Sequence, residues 1–197
     1  MGFKIQNGEL YKYEEEGGVT EVIIPSGVTK IGYDAFKNCF SIESVYIPDG
    51  VTSIGKEAFY GCGFLSDIHI PDTLKSIGYG AFSGCDELKS IYLPDGITEI
   101  KESTFWSCGL ESIKIPDSVI IIGEQAFRSC KLNHISIPSG VKRIEDYTFT
   151  GCHNLTSIYI PSGVTHIGMA AFWKCKNLKD VCIPDSVIQI ESGAFFA

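Results

Sequence analysis

Eight prolines recur along this chain at positions 25, 48, 71, 94, 116, 138, 161 and 184, in steps of 23, 23, 23, 22, 22, 23 and 23 residues. A fixed period of this size marks an array of stacked structural repeats. Each proline is followed at constant distance by the same apolar set. Three residues on stand Val28, Val51, Leu74, Ile97, Val119, Val141, Val164 and Val187, and six residues on an isoleucine, from Ile31 to Ile190. Eleven residues on stands a phenylalanine (Phe36, Phe59, Phe82, Phe105, Phe127, Phe149, Phe172, Phe195), preceded by Ala or, in two copies, by Thr104 or Thr148. Fourteen residues on, seven copies carry a cysteine.

Each repeat ends in an alternating run such as Leu88-Lys-Ser-Ile91-Tyr-Leu93 before Pro94. Alternation of this kind predicts a half-buried strand, with Ile91 and Leu93 inward and Tyr92 outward. The proline lacks an N–H and closes the strand. Eight such strands at about 4.8 Å spacing make a parallel concave sheet roughly 35–40 Å long. Phe and Cys three residues apart, with a small residue beside the Phe, predict one or two helical turns on the convex side. Gly32, Gly55, Gly78, Gly123 and Gly168 mark a bend before them, a place held in other copies by Lys101, Glu145 and Glu191. The two 22-residue steps each lack one residue, between Cys108 and Leu110 and between Cys130 and Leu132. A deletion confined to one place marks a surface loop, so a local irregularity with an unbroken core is expected there. No rung can bury its apolar set alone, and stability must come from stacking.

Residues 1–18 stand apart as an amino-terminal cap, and residues 19–197 are the solenoid of about eight repeats, the last incomplete. In the cap, Phe3, Ile5, Leu10, Tyr11 and Tyr13 surround Asn7-Gly8, a strong hairpin turn because both residues tolerate positive φ. The unit Ile-Pro-x-x-Val-Thr-x-Ile-Gly-x-x-Ala-Phe-x-x-Cys-x-x-Leu-x-x-Ile resembles the BspA-like (treponemal-type) leucine-rich repeat, over about residues 19–197. The hairpin resembles that family's cap. The resemblance implies an α/β repeat solenoid, a curved right-handed superhelix found mostly in bacterial cell-surface or secreted proteins that bind host proteins or other macromolecules. The start Met1-Gly2-Phe3-Lys4-Ile5 does not read as a signal peptide, so a cytoplasmic location also fits.

A net charge of −8 argues against nucleic acid as a partner, because phosphates ask for a basic surface. No apolar run is long enough to insert across a bilayer. Cys39, Cys62, Cys85, Cys108, Cys130, Cys152 and Cys175 occupy one equivalent position each. That predicts a ladder of buried free thiols rather than metal ligands or disulfides, since Cys-x-x-Cys pairs are absent and the convex side splays. Cys182 falls at an outward strand position. His69 and His134 lie three rungs apart, about 14 Å by strand spacing, too far for one metal or one proton relay. No nucleophile elbow or phosphate loop is present, so no enzyme, metal or cofactor is expected.

The functional candidates are the outward strand residues, which vary where the inward ones do not. One row contains Tyr46, His69, Tyr92, Lys114, Ser136, Tyr159 and Cys182, and a flanking row contains Asp67, His134 and Asp180. Tyrosine offers large contact area with a polar handle, which suits an interface. These residues are expected to hold a protein or glycan ligand on the concave face. Tyr60, Trp106 and Trp173, one residue after the repeat Phe, form a second candidate patch on the convex side, as packing filler or a lateral contact. A structural spacer that presents another domain, or associates end to end through an apolar last rung, is the alternative use of such a scaffold.

Overall fold

The computed structural model describes residues 2–196, the side chain of Asp180 excepted. Its strands β1 (Gly2–Gln6) and β2 (Glu9–Glu14) form an antiparallel hairpin around Asn7-Gly8. Beyond it the chain is a β-solenoid. One parallel row consists of two-residue strands at the repeat isoleucine, from Lys30–Ile31 to Gln189–Ile190. The hairpin joins this row, Leu10 of β2 pairing with Ile31. Leu10 and Tyr13 are buried against the first rung, the Tyr13 ring stacking on Phe36 at 5.0 Å. The hairpin therefore covers apolar surface that the first rung would otherwise expose.

The second row holds the alternating runs before the prolines. Glu21–Ile23, Ser44–Tyr46 and Asp67–His69 form one parallel sheet, and His134–Ser136, Ser157–Tyr159 and Asp180–Val181 another. The central residue of each described strand points inward, as the alternation requires: Val22, Val45, Ile68, Ile135 and Ile158 are all buried.

Residues 90–92 and 112–114 belong to no strand, so the expected eight-stranded sheet is two three-stranded segments. No backbone hydrogen bond involves residues 90–93 or 113–115. Elsewhere the row is closed by bonds such as Ile47 N–H to His69 O and Ile137 N–H to Tyr159 O. The shortened loops lie beside the interruption without coinciding with it: the one after Cys108 precedes residues 112–114, and the one after Cys130 precedes the regular strand His134–Ser136. In regular rungs the cysteine thiol donates to the carbonyl of the preceding rung's phenylalanine, as Cys62 does to Phe36 at 3.0 Å and Cys152 to Phe127 at 3.1 Å. Cys108 donates instead to Cys85 O at 3.4 Å, whereas Cys130, also followed by a shortened loop, keeps the regular bond to Phe105 O at 3.0 Å. The core is continuous across this gap, with Ile91, Leu93 and Ile115 buried.

The expected helical turns are absent: among the described residues there is no helix. From Phe36 to Phe172, the two residues flanking each repeat Phe at −2 and +2 take positive φ, for example Asp34 and Asn38, Ser103 and Ser107, Gln125 and Ser129. A left-handed residue every fourth position breaks the i to i−4 ladder that an α-helix needs. Alternate N–H groups then point along the stack. Phe59 N–H donates to Ala81 O of the next rung at 2.8 Å, Gly61 N–H to Ser83 O at 2.8 Å and Glu57 N–H to Tyr79 O at 2.8 Å. The residues between them close tight turns within the rung, as Cys62 N–H does to Phe59 O. Phe and Cys three apart are thus the two ends of a turn. The bend glycines have a different reason from backbone dihedrals: a Cβ on Gly55 would lie 2.6 Å from the carbonyl carbon of Gly32, so close rung contact excludes it.

The buried Phe rings, Phe36 to Phe172, form a continuous stack, with centroid spacings of 4.8–5.7 Å. Fully burying each ring contributes about 1.5–3 kcal/mol. Beside it runs the thiol ladder. All eight cysteines are free and seven are buried, Cys182 being exposed. Burial pushes the Cys39 and Cys108 thiols up to about 12 and Cys175 up to about 11, and raises Cys62, Cys85, Cys130 and Cys152 as well. These thiols are neutral at physiological pH and poor nucleophiles.

Candidate recognition surface

The outward strand residues present a polar and aromatic face. Tyr46, Asp67, His69, Tyr92, Lys114, His134, Ser136, Tyr159 and Cys182 are all exposed, while the Asp180 side chain lies outside the described residues. Parallel register fixes their neighbours. Tyr46 sits opposite His69, Ser136 opposite Tyr159, and His134 opposite Ser157. The Tyr46 and His69 rings stack face to face, 4.4 Å between centroids and 4° between planes. The structure thereby splits the row into a Tyr46–His69 pair, a Ser136–Tyr159 pair, and Tyr92 and Lys114 in the gap between the sheets.

Two neighbouring recesses lie on this face. One, of about 520 Å³, is lined by Tyr46, Asp49, His69, Asp72 and Tyr92 with Ile68, Ile70 and Pro71. The other, of about 370 Å³, lies over the interrupted strands and is lined by Ser90, Ile91, Tyr92, Leu93, Asp95, Lys114 and Pro116. Tyr92 separates them. Its hydroxyl donates to Asp72 Oδ1 at 2.8 Å, and this bond raises the phenol pKa above its ordinary value. Among the described residues no ion pair holds Asp49, Asp72 or Asp95. These carboxylates escaped the sequence reading. The signal was the residue after each proline, which is Asp in five of the eight copies.

The chemistry available is contact and charge. His69 and His134 stand in different sheets with no shared partner. Among the described residues no group of three His, Cys, Asp or Glu side chains could hold a metal ion. Among the described residues no helix is long and apolar enough to cross a membrane.

On the turn face, Tyr60 and Trp106 line a recess of about 460 Å³ with Lys56, Glu57, Tyr79, Gly80, Ser83, Glu102 and Ser103. Trp173 lines a separate one with Tyr147, Met169 and Phe196. The convex aromatics are therefore two patches.

Stacked parallel strands, a Phe ladder and a buried-thiol ladder at a 22–23-residue period define a leucine-rich-repeat solenoid. The family profile described as BspA type leucine rich repeat region matches residues 9–130 and 98–197, with six copies of the repeat. The chain belongs to that family. Among solved structures it is similar to a leucine rich repeat protein of T. pallidum, at 34% identity and a TM-score of 0.83, over 90% of this chain and 87% of that one. A leucine-rich repeat protein from Bacteroides ovatus matches at 32% identity and a TM-score of 0.75, over 95% of this chain and 58% of its own length. A leucine rich cell surface protein from Faecalibacterium prausnitzii matches at 28% identity and a TM-score of 0.72, over 98% of this chain and 71% of that one. No curated protein matches.

Proposed function

We propose that this chain is a non-enzymatic recognition module of a bacterial cell-surface protein, and that it binds a protein partner through its strand face. The observation that carries this reading is the recess around the Tyr46–His69 stack, where exposed rings stand beside the carboxylates of Asp49 and Asp72, neither held in an ion pair. Aromatic rings supply contact area at low entropic cost, and carboxylates without a cationic neighbour favour a partner that presents basic side chains. The net charge of −8 adds long-range attraction for such a partner. Resemblance to a leucine rich cell surface protein supports the location. Surface plasmon resonance against immobilised host matrix proteins tests the reading. A partner should be found whose affinity falls when Asp49 and Asp72 are changed together to Asn, and falls with rising salt. Salt-independent binding that ignores this change would reject the reading.

A second reading is an assembly module. Ile188, Ile190 and Phe196 on the last described rung are 78%, 47% and 68% exposed, an apolar surface on which a further rung of the same chain or a second copy would stack. Light scattering decides between end-to-end oligomers and a strict monomer.

A further inference from the structure

The turn face carries a slot that is one side chain wide. The residue after each repeat Phe forms a row running Lys37, Tyr60, Ser83, Trp106, Arg128. Its members stack as cations on rings: Lys37 Nζ lies 5.3 Å from the Tyr60 centroid and the Arg128 guanidinium 5.8 Å from the Trp106 ring. Between Tyr60 and Trp106 the row is interrupted by the small Ser83, flanked by Gly80 and Gly84. The gap spans two rungs, about 11 Å by the Phe59–Phe82 and Phe82–Phe105 spacings of 5.4 and 5.7 Å. Half of it lies within the roughly 4.5–7 Å at which a ring stacks on a ring.

Ser83 forms the floor. It is 4% exposed, yet its hydroxyl makes no hydrogen bond with any protein group. Thr150, at the same place in a later rung, donates from its hydroxyl to Ala170 O. The Ser83 oxygen is not a buried unsatisfied atom, so it meets solvent in the recess that Ser83 lines and is free to exchange that water for a hydrogen-bonding ligand. The rim adds the carboxylates of Glu57 and Glu102.

We infer that this slot binds a pyranose ring of a glycan, held between Tyr60 and Trp106. The C–H faces of the sugar meet the two rings. Its hydroxyls meet Ser83 and donate to the Glu102 carboxylate, for which the structure gives no protein partner. A cationic ligand fits less well, because Lys37 already sits on Tyr60 and Glu57, and Lys101 on Tyr79 at 5.4 Å. An aromatic side chain would stack, but it would desolvate Ser83 and Glu102 without bonding them. The slot shares no lining residue with the strand recesses, so it does not rest on the reading above.

Saturation-transfer NMR on the full chain tests this, with the methyl glycosides of glucose, galactose, mannose and N-acetylglucosamine as probes and N-acetyltyrosinamide as control. At least one glycoside should receive saturation on its ring C–H protons, with a Kd on the order of 1–10 mM for so small a ligand. Ser83→Phe fills the slot with a residue whose neighbours in the row are already aromatic, and Trp106→Ala removes a wall. Each should weaken binding more than tenfold, while circular dichroism and the thermal midpoint show the solenoid intact. No transfer to any glycoside, transfer that persists in folded Ser83→Phe, or binding of the tyrosine amide in place of the sugars would overturn the inference.

Discussion

Tyr46 and His69 lie opposite each other in parallel register with their rings stacked at 4.4 Å, on the outside of a sheet whose inner side is filled by Val45 and Ile68. A cross-strand pair on an exposed face contributes about 0.2–1 kcal/mol. Changing both residues to Ala should therefore lower the urea unfolding free energy by about 1 kcal/mol or less. A larger loss would mean that the pair is part of the scaffold.

The Phe ladder is the opposite case. Phe105 is fully buried between Phe82 and Phe127. Phe105→Ala should cost about 3–5 kcal/mol, from lost burial plus the cavity left behind. Chemical denaturation should show it as a lower midpoint, and the loss should be greatest for rungs next to the cavity, because each repeat touches only its neighbours.

The turn face makes a backbone prediction. Ser107 is exposed and sits at φ 54°, where Gly61, Gly84 and Gly151 stand in other rungs. A left-handed conformation costs an L-residue roughly 1–2 kcal/mol. Ser107→Gly should leave stability unchanged or raise it by up to about 1 kcal/mol, and Ser107→Val should lower it by about 1–2 kcal/mol. Thermal unfolding of the two variants checks the sign.

The thiols give a pH dependence. Their folded pKa values are raised by burial, so their contribution is fully present below the ordinary thiol value near 9 and is lost as pH rises through about 11–12. Each thiol so affected costs up to about 1.4 kcal/mol per pH unit in that window. Stability measured at pH 8, 9, 10 and 11 should fall progressively above 9. At pH 8 a thiol reagent should modify Cys182 quickly in the native protein and the other seven only after unfolding.

The inward positions were legible in the sequence because stacking forces every rung to fill the same space, so Val28 to Val187 and Phe36 to Phe195 repeat. The free-thiol ladder followed from the same regularity. The turn backbone was not legible, because a three-residue Phe–Cys separation suits a helical turn and a tight turn alike, and Asp34, Glu57 and Tyr147 give no outward sign of positive φ. Nor was the break in the strand row: Leu88 to Leu93 alternates as cleanly as its neighbours, and the missing residues after Cys108 and Cys130 pointed only to a local irregularity. The recognition residues were visible singly. Their grouping around Asp72, and the slot that Ser83 opens between Tyr60 and Trp106, needed the rungs placed side by side.

The strand face and the turn face can be separated by one binding comparison. A partner found among immobilised, deglycosylated matrix proteins is titrated against the native chain, against the chain with Tyr46, His69 and Tyr92 changed to Ala, and against the chain with Trp106 changed to Ala. Use of the strand face predicts that the triple change weakens binding at least tenfold while Trp106→Ala leaves it within twofold. Undiminished binding by the folded triple variant would contradict it.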